Sequence, residues 1–184
     1  MTEVNRIDQK EREKRNAPAV LICGFPGVGK STLVSSPDNY TLLDSDSSSF
    51  SWSNRAKRER NADWPQNYLN NINANRFGAD GILISSHKEV RDALVKAGMK
   101  FALVYPSLAM RDEYLGRYIA RGNDPQFVEL LKANYDTWIR ELMVQEGCDH
   151  VVLQPGQYLS DVISSIVKSS QPLENNTLSL NVFV

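Results

Sequence analysis

A glycine-rich segment, Gly24 to Thr32 (GFPGVGKST), constrains the fold of this chain more than any other part of its sequence. It matches G-x-x-x-x-G-K-[ST], a pattern whose successive backbone N–H groups turn inward around an anion. The apolar run from Ala19 to Cys23 precedes it and predicts a buried strand, and Ser31 to Val34 predict the start of a helix. The motif requires this strand–loop–helix context. A chance glycine-rich turn before a helix is the alternative interpretation.

The residue types of this segment, a P-loop, predict binding of a nucleoside triphosphate. Its glycines let the backbone curl tightly, and the helix start after it adds a partial positive charge. We expect Lys30 to reach the β- and γ-phosphates and Ser31 to offer its hydroxyl to Mg²⁺. ATP and Mg²⁺ are therefore the expected cofactors. The predicted ATP-binding residues of the segment are Gly24, Phe25, Pro26, Gly27, Val28, Gly29, Lys30, Ser31 and Thr32.

Composition sets wider limits on function. The chain has 184 residues, 41% of them hydrophobic, which suits one domain with a sizeable core. Its net charge of −1 gives no global electrostatic case for binding nucleic acid or a membrane. The cysteines, Cys23 and Cys148, suggest reduced thiols rather than a disulfide framework. No apolar stretch approaches the roughly 18 residues of a membrane span, so we expect a cytoplasmic protein.

Apolar runs alternate with helical patterns along the chain. This alternation predicts an α/β fold in which a parallel sheet is covered on both faces and ligands bind at the carboxyl ends of the strands. We expect a kinase-sized domain over residues 18–169, a polar extension over 1–17 and a tail over 170–184. The predicted strands are 19–23, 40–43, 81–84, 101–105 and 150–153, and the clearest helices are 65–74, 108–121, 125–145 and 158–168.

Two helices carry more detailed predictions. Ser86 and Glu89 have the spacing of a capping box at the start of the helix after the third predicted strand. Three apolar residues predict its buried face, and Gly98 predicts its end. That buried face comprises Val90, Leu94 and Val95. In the helix over 125–145, core packing is the preferred role for Phe127, Leu131, Trp138 and Leu142.

The acidic segment after the second predicted strand, Asp44-Ser45-Asp46, narrows the reaction. No strand closes in Asp-Glu, as an AAA-type ATPase requires, and no Asn-Lys-x-Asp guanine reader is present. With its P-loop and this acidic pair, the chain resembles the P-loop small-kinase group, which includes adenylate, shikimate and polynucleotide kinases. Its small size and short first helix are also similar to those of bacteriophage nucleotide kinases. The resemblance implies a three-layer P-loop NTPase fold with a five-stranded parallel sheet.

The resemblance also implies catalytic roles for charged residues. Asp44 would be the general base or the carboxylate beside Mg²⁺, and Asp46 would hold the acceptor. Arg117 and Arg121 lie in the segment 108–125, where the group has a lid whose arginines close over the triphosphate; their planar guanidinium groups suit phosphate oxygens. For each aspartate the alternative is a turn cap, and for the arginines it is a solvated helix face paired with Glu113.

The segment 47–75 occupies the position of an acceptor-binding insertion in nucleotide kinases. Its arginines would suit an acceptor that already carries phosphate, and an aromatic ring there could stack on a base. A plain charged loop is the alternative. The predicted acceptor-binding residues are Asp46, Trp52, Arg55, Arg58, Arg60, His87 and Arg91. Pro155 and Gly156, after the fifth predicted strand, match the position where the group wraps adenine.

Three functions remain open on these grounds. The first is Mg-ATP-dependent transfer of the γ-phosphate to a nucleoside monophosphate or deoxynucleotide. The second is a kinase for a hydroxyl acceptor, either a small metabolite or a polynucleotide 5′ end. Nucleic acid is expected as a partner only in this last case, as the acceptor. The third is a nucleotide-binding regulatory protein with weak ATPase activity. The choice of ATP or GTP as donor and the oligomeric state are not predicted.

Overall fold

A computed structural model describes residues 17–35, 40–54, 56–57 and 59–170. Five of its strands form one parallel sheet in the order β2-β5-β1-β6-β7, and the other two pair as an antiparallel hairpin. In chain order the strands are β1 (Val20–Gly24), β2 (Leu42–Asp44), β3 (Trp52–Asn54), β4 (Glu59–Arg60), β5 (Gly81–Ser85), β6 (Phe101–Pro106) and β7 (Asp149–Leu153). The predicted α/β class and the five-stranded parallel sheet are confirmed.

Helices connect the parallel strands. The chain passes in one direction across the sheet from β1 to β2 and in the other from β5 to β6 and β7, so right-handed crossovers put helices on both faces. This is compatible with three layers. The helices are α1 (Lys30–Val34), α2 (Ser48–Ser51), α3 (Gln66–Ala74), α4 (Lys88–Lys96), α5 (Arg111–Ala120), α6 (Pro125–Met143) and α7 (Leu159–Ser169), with a 3₁₀ turn at Leu108–Met110.

The core lies around β1, which is paired on both sides. Leu21 pairs with Ile82 of β5 and with Phe101 of β6, and all three are almost fully buried. Because both faces of the central strands are covered, these strands have apolar runs rather than alternating patterns. The direction of the connections reverses at β1, so the carboxyl end of β1 is the switch point where such sheets bind ligands.

Helix α4 corrects the predicted capping box. The helix begins at Lys88 with His87 as its N-cap, and no side chain caps it. The Ser86 carbonyl instead accepts a hydrogen bond from Arg91 Nε at 3.0 Å. Arg91 is buried, whereas Val95 is 39% exposed, so Val95 is not part of the buried face.

Other features of α4 and its surroundings agree with the predictions. Val90 and Leu94 are buried, and Gly98 ends the helix with a φ of 66°. The helix expected near 65–74 is confirmed as α3. The weakly periodic stretch before it contains α2 and the β3–β4 hairpin, which no sequence pattern predicted. Residues 1–16 of the predicted extension over 1–17, residues 171–184 of the predicted tail over 170–184, and both Arg55 and Arg58 lie outside the described residues.

The helices in the described parts of the chain were compared with a membrane-spanning helix in length and hydropathy. None of them is long and apolar enough to cross a bilayer.

Candidate functional site

The glycine-rich loop joins β1 to α1 at the switch point of the sheet. Gly27 and Gly29 have φ angles of 83° and 102°, a conformation that side chains other than glycine rarely adopt. A Cβ atom on Gly27 would lie 3.1 Å from the Tyr118 hydroxyl. One on Gly24 would lie 2.9 Å from Cγ2 of Val28. The tight curvature of the loop therefore depends on its glycines.

The Lys30 ammonium group lies inside the curve of this loop. Its Nζ donates a hydrogen bond to the Gly24 carbonyl at 2.5 Å and a longer one to the Phe25 carbonyl at 3.4 Å. Burial lowers the pKa of Lys30 to about 8, and the nearby Asp44 carboxylate opposes this shift. An anion in the loop would favour the charged ammonium in the same way.

A cavity of about 620 Å³ opens beside the loop. One side is formed by polar residues at the carboxyl ends of β1, β2 and β5, and the other by a face of α6. A volume of this size accommodates a small organic ligand. The polar side includes Lys30, Ser31, Asp44, Asp46, Ser85 and His87, and the helical side includes Phe127, Leu131, Trp138, Glu141 and Leu142.

The two aspartates differ in their local bonding. Asp44 ends β2 and faces the cavity, and no hydrogen bond or ion pair from the described residues reaches its carboxylate. Asp46 also faces the cavity, but it accepts hydrogen bonds from Ser48 N–H at 2.9 Å and Ser48 Oγ at 2.7 Å. Asp46 therefore holds the start of α2, as the turn-cap alternative predicts, whereas Asp44 suits a chemical role.

Hydrogen bonds fix the carboxyl ends of β2 and β5 around the cavity. The buried Tyr68 hydroxyl donates to the Ser45 carbonyl at 2.6 Å and accepts from Ser85 N–H at 3.3 Å. Ser85 Oγ forms a hydrogen bond with Nδ1 of His87. Burial lowers the pKa of His87, which favours the neutral imidazole near pH 7. His87 lies at the cavity as predicted, and it can accept a proton or a hydrogen bond.

Arg91 lines the cavity, but its guanidinium group already makes hydrogen bonds within the protein. Besides the bond from Nε to Ser86, Nη2 pairs with Glu141 Oε1 at 2.5 Å and Nη1 donates to Gln145 Oε1 at 2.5 Å. The side chain is 3% exposed. Arg91 therefore ties α4 to α6, and the prediction that it binds the acceptor is not supported by this geometry.

The two arginines that were predicted to belong to a lid, Arg117 and Arg121, occupy different environments. The Arg117 side chain is 10% exposed and pairs with Glu113 on the same helix. Its guanidinium also donates to the Gln157 carbonyl at 2.9 Å and lies over the Tyr158 ring, 3.7 Å from the centroid. Its Nε and Nη1 atoms are buried, and no partner for them lies among the described residues. Arg121 is the exposed C-cap residue of α5, and its charge contributes to lowering the pKa of Lys30.

Several predicted ligands lie away from the cavity. Arg60 packs over the Trp52 ring at 4.8 Å within the β3–β4 hairpin and pairs with Glu89 at 3.5 Å. Gly156 N–H donates to a Glu113 oxygen at 3.0 Å, and neither Gly156 nor Pro155 lines the cavity. Among the described residues of 47–75, Ser47 alone lines the cavity, so this segment contributes less to the cavity than predicted.

The wall formed by α6 is the part of the site that the sequence did not predict. Leu131 and Leu142 are buried, as core packing requires, but Phe127 and Trp138 are only partly buried and line the cavity. Both rings also pack against the core, so the expectation of core packing is confirmed in part. Their spacing indicates a common helical face, but spacing alone does not distinguish the core from a cavity wall.

Neither a comparison with models of known protein families nor a search of curated proteins gives a match.

The side chains at the cavity meet the modest ligand requirement of Mg²⁺ in a phosphate-transfer site. In the described part of the chain, no three or more His, Cys, Asp or Glu side chains cluster as metal ligands. Magnesium in phosphate-transfer sites is commonly held by one or two carboxylates together with substrate phosphates and water. The Ser31 hydroxyl and the Asp44 carboxylate, which line the same cavity, fit that smaller requirement.

Proposed function

We propose that this chain is a Mg-ATP-dependent phosphotransferase of the P-loop small-kinase type. One observation carries the proposal. The loop that matches G-x-x-x-x-G-K-[ST] opens into a cavity that contains both Lys30 and the Asp44 carboxylate. A donor phosphate and an acceptor group could therefore meet beside a cation and a base.

The donor would lie along the glycine-rich loop. The positive φ angles at Gly27 and Gly29 support this placement, because they turn the backbone as a phosphate cradle requires. Lys30 would neutralise phosphate charge, and Ser31 would hold Mg²⁺ together with phosphate oxygens and water, which leaves Asp44 as the base. When bound, ATP would supply the phosphoryl group and the metal would offset its charge. Phe25, Pro26, Val28 and Thr32 would position the loop.

The arginines of α5 would act from the other side of the loop. Arg117 would contribute its positive charge, because its guanidinium group is buried and does not line the cavity. Arg121 is exposed and near enough to influence Lys30 electrostatically. Fixed cations of this kind stabilise the charge that spreads over a transferring phosphoryl group. Segment 108–125 would then complete the donor site.

The sequence leaves two acceptor classes open, and the position of Asp44 favours one of them. A nucleoside monophosphate has an acceptor phosphate that is already ionised and needs little general-base assistance. A hydroxyl acceptor needs a base within reach, and Asp44 has a carboxylate to which the described residues give no hydrogen bond. We therefore place the hydroxyl kinase ahead of the nucleoside monophosphate kinase that the sequence favoured.

A screen of acceptors tests the proposal. ADP formation from Mg-ATP is measured with nucleosides, nucleoside monophosphates, small polyols and 5′-hydroxyl oligonucleotides. We expect ADP formation to rise at least tenfold above the acceptor-free rate with one of these classes. Binding of ATP without stimulation by any of them would favour the nucleotide-binding regulatory protein instead.

A further inference from the structure

The wall of the cavity formed by α6 suggests which acceptor the site takes. We infer that the acceptor is a neutral hydroxyl compound with a flat aromatic ring, which is the chemistry of a nucleoside, and that its ring packs against Trp138. This inference rests on the proposed phosphotransferase function and names the substrate class of the same site.

The first argument is the shape of the wall. Phe127, Leu131, Trp138 and Leu142 recur at helical spacing and all line the cavity. With a rise of about 1.5 Å per residue, the face from Phe127 to Leu142 extends about 22 Å along α6. An extended apolar wall of this kind suits a planar ring and gives a small polyol little to contact.

The second argument is that the wall is held in place. The Phe127 ring packs against Tyr118 with a centroid distance of 5.3 Å and an interplanar angle of 61°. At the other end of the helix, the buried Arg91 bonds to Glu141 and Gln145 and so ties α6 to α4. Aromatic side chains that are already ordered lose little entropy when a ring packs on them.

The third argument is the state of the cations around the cavity. Lys88 pairs with Asp92 at 2.5 Å, and Arg91 is bonded at every nitrogen of its guanidinium group. Lys30 belongs to the donor loop. Apart from Lys88, which is exposed and shared with Asp92, no further Lys or Arg among the described residues that line the cavity remains for a phosphate on the acceptor, whereas Asp44 would repel one. A neutral acceptor fits this charge distribution.

Phosphoryl transfer to such an acceptor balances in atoms and electrons. The hydroxyl oxygen of the acceptor forms the new bond to the γ-phosphorus, and its proton passes to the Asp44 carboxylate. The bond from that phosphorus to the bridging oxygen breaks, and its electron pair stays on ADP. The products are the phosphorylated acceptor, ADP and a proton that Asp44 releases to water.

Direct binding without ATP tests the inference separately from catalysis. Titration calorimetry compares four nucleosides with their 5′-monophosphates and with ribose and glycerol, which lack an aromatic ring. We expect at least one nucleoside to bind at least tenfold more tightly than its own monophosphate and than either ringless compound. Tighter binding of every monophosphate, or no nucleoside binding at all, would overturn the inference.

Substitutions then test the wall itself. We expect Trp138→Leu to weaken nucleoside binding at least tenfold and to leave ATP binding within twofold, and Trp138→Phe, which keeps a ring, to recover most of the loss. Leu130→Ala changes an exposed residue of α6 and serves as the matched control. Equal nucleoside binding by Trp138→Leu would overturn the inference. If the leucine variant unfolds, the comparison of ligands on the wild-type protein still decides the matter.

The two proposals fail in different ways. Absence of ATP binding with intact nucleoside binding would reject the phosphotransferase and leave the α6 wall as a nucleoside site. ATP binding together with a preference for monophosphates or ringless polyols would reject the nucleoside inference and leave the phosphotransferase.

Discussion

The two sides of the cavity arise from the sequence in different ways. The glycine-rich loop is one continuous segment, and its φ angles, its glycines and Lys30 all belong to it. The α6 wall comes from a helix more than ninety residues further along the chain, and an ion pair between the buried Arg91 and the partly exposed Glu141 holds it in place. The contrast shows that the sequence can reveal the proposed donor site directly, whereas the proposed acceptor wall becomes visible only after folding.

The largest expected effect is a loss of phosphoryl transfer when the proposed donor side of the cavity is changed. Lys30→Ala removes the ammonium group from the loop, and we expect phosphoryl transfer to fall by about 10³-fold or more because a fixed cation at the transferring group is lost. ADP formation with the best acceptor is the measurement. Lys96→Ala, which removes an exposed charge at the end of α4, is the matched control. Activity within tenfold of the wild type would remove Lys30 from its proposed role.

The next effect separates the two aspartates. For Asp44→Asn we expect a loss of about 10²- to 10⁴-fold in turnover of a hydroxyl acceptor, because a general base is removed. For Asp46→Asn, which weakens the hydrogen bonds to Ser48, we expect a smaller change in rate and a loss of stability of about 1 kcal/mol or less. Turnover and denaturant unfolding are measured on both variants. A mild kinetic effect at Asp44 would favour a phosphate acceptor.

A smaller effect on turnover is expected in the proposed lid segment, 108–125. We expect Arg121→Ala to lower kcat by about 10²-fold and to change the Kd for ATP only slightly, because its charge would act on the transition state. Arg140→Ala, an exposed arginine on α6, is the control. Loss of ATP affinity without loss of turnover would place Arg121 in ground-state binding and not in the lid.

The smallest effect is a proton linkage in the loop. Burial lowers the pKa of Lys30 to about 8, and bound phosphate should raise it again. ATP binding at pH 8 should therefore take up about half a proton, and affinity should fall as pH rises through the folded-state pKa. Calorimetry in two buffers of different ionisation enthalpy measures this uptake. Lys30→Arg, whose side chain stays charged, should abolish this proton uptake. Unchanged uptake in this variant would show that another group takes up the proton.

The same buried lysine affects folding stability, and its pKa sets the sign of the effect. The pKa is about 8 in the folded chain and 10.5 in the reference state, so between these values the unfolded chain binds more protons. The contribution of Lys30 to stability therefore rises with pH across this window. Below pH 8 the destabilisation by burying a charged ammonium is fully present.

Much of the fold was predictable because its signals are local. Apolar runs predicted all five parallel strands, and the short first helix and the final helix were also expected. The structure also brings Lys30, Asp44, Asp46 and His87 to one cavity, as the carboxyl-end rule for parallel sheets indicates.

The rest depended on tertiary contacts that no local pattern reports. The position of Arg91 near the start of the helix after the third predicted strand predicts a ligand, but its hydrogen bonds to Glu141 and Gln145 connect positions far apart in the chain. Helical spacing indicates that Phe127 and Trp138 share a face, but it does not show that this face meets a cavity as well as the core. Trp52 and Arg60 contact each other across a short hairpin that has no period-two pattern.

Titration calorimetry of ATP into the wild-type protein with Mg²⁺ tests the central claim most directly. We predict saturable binding to a single site with a Kd below about 1 mM, lost in Lys30→Ala. GTP is titrated in the same way, because the glycine-rich loop is expected to contact the phosphates and not the base. Absence of binding by both ATP and GTP would contradict the claim that this glycine-rich loop is a triphosphate site.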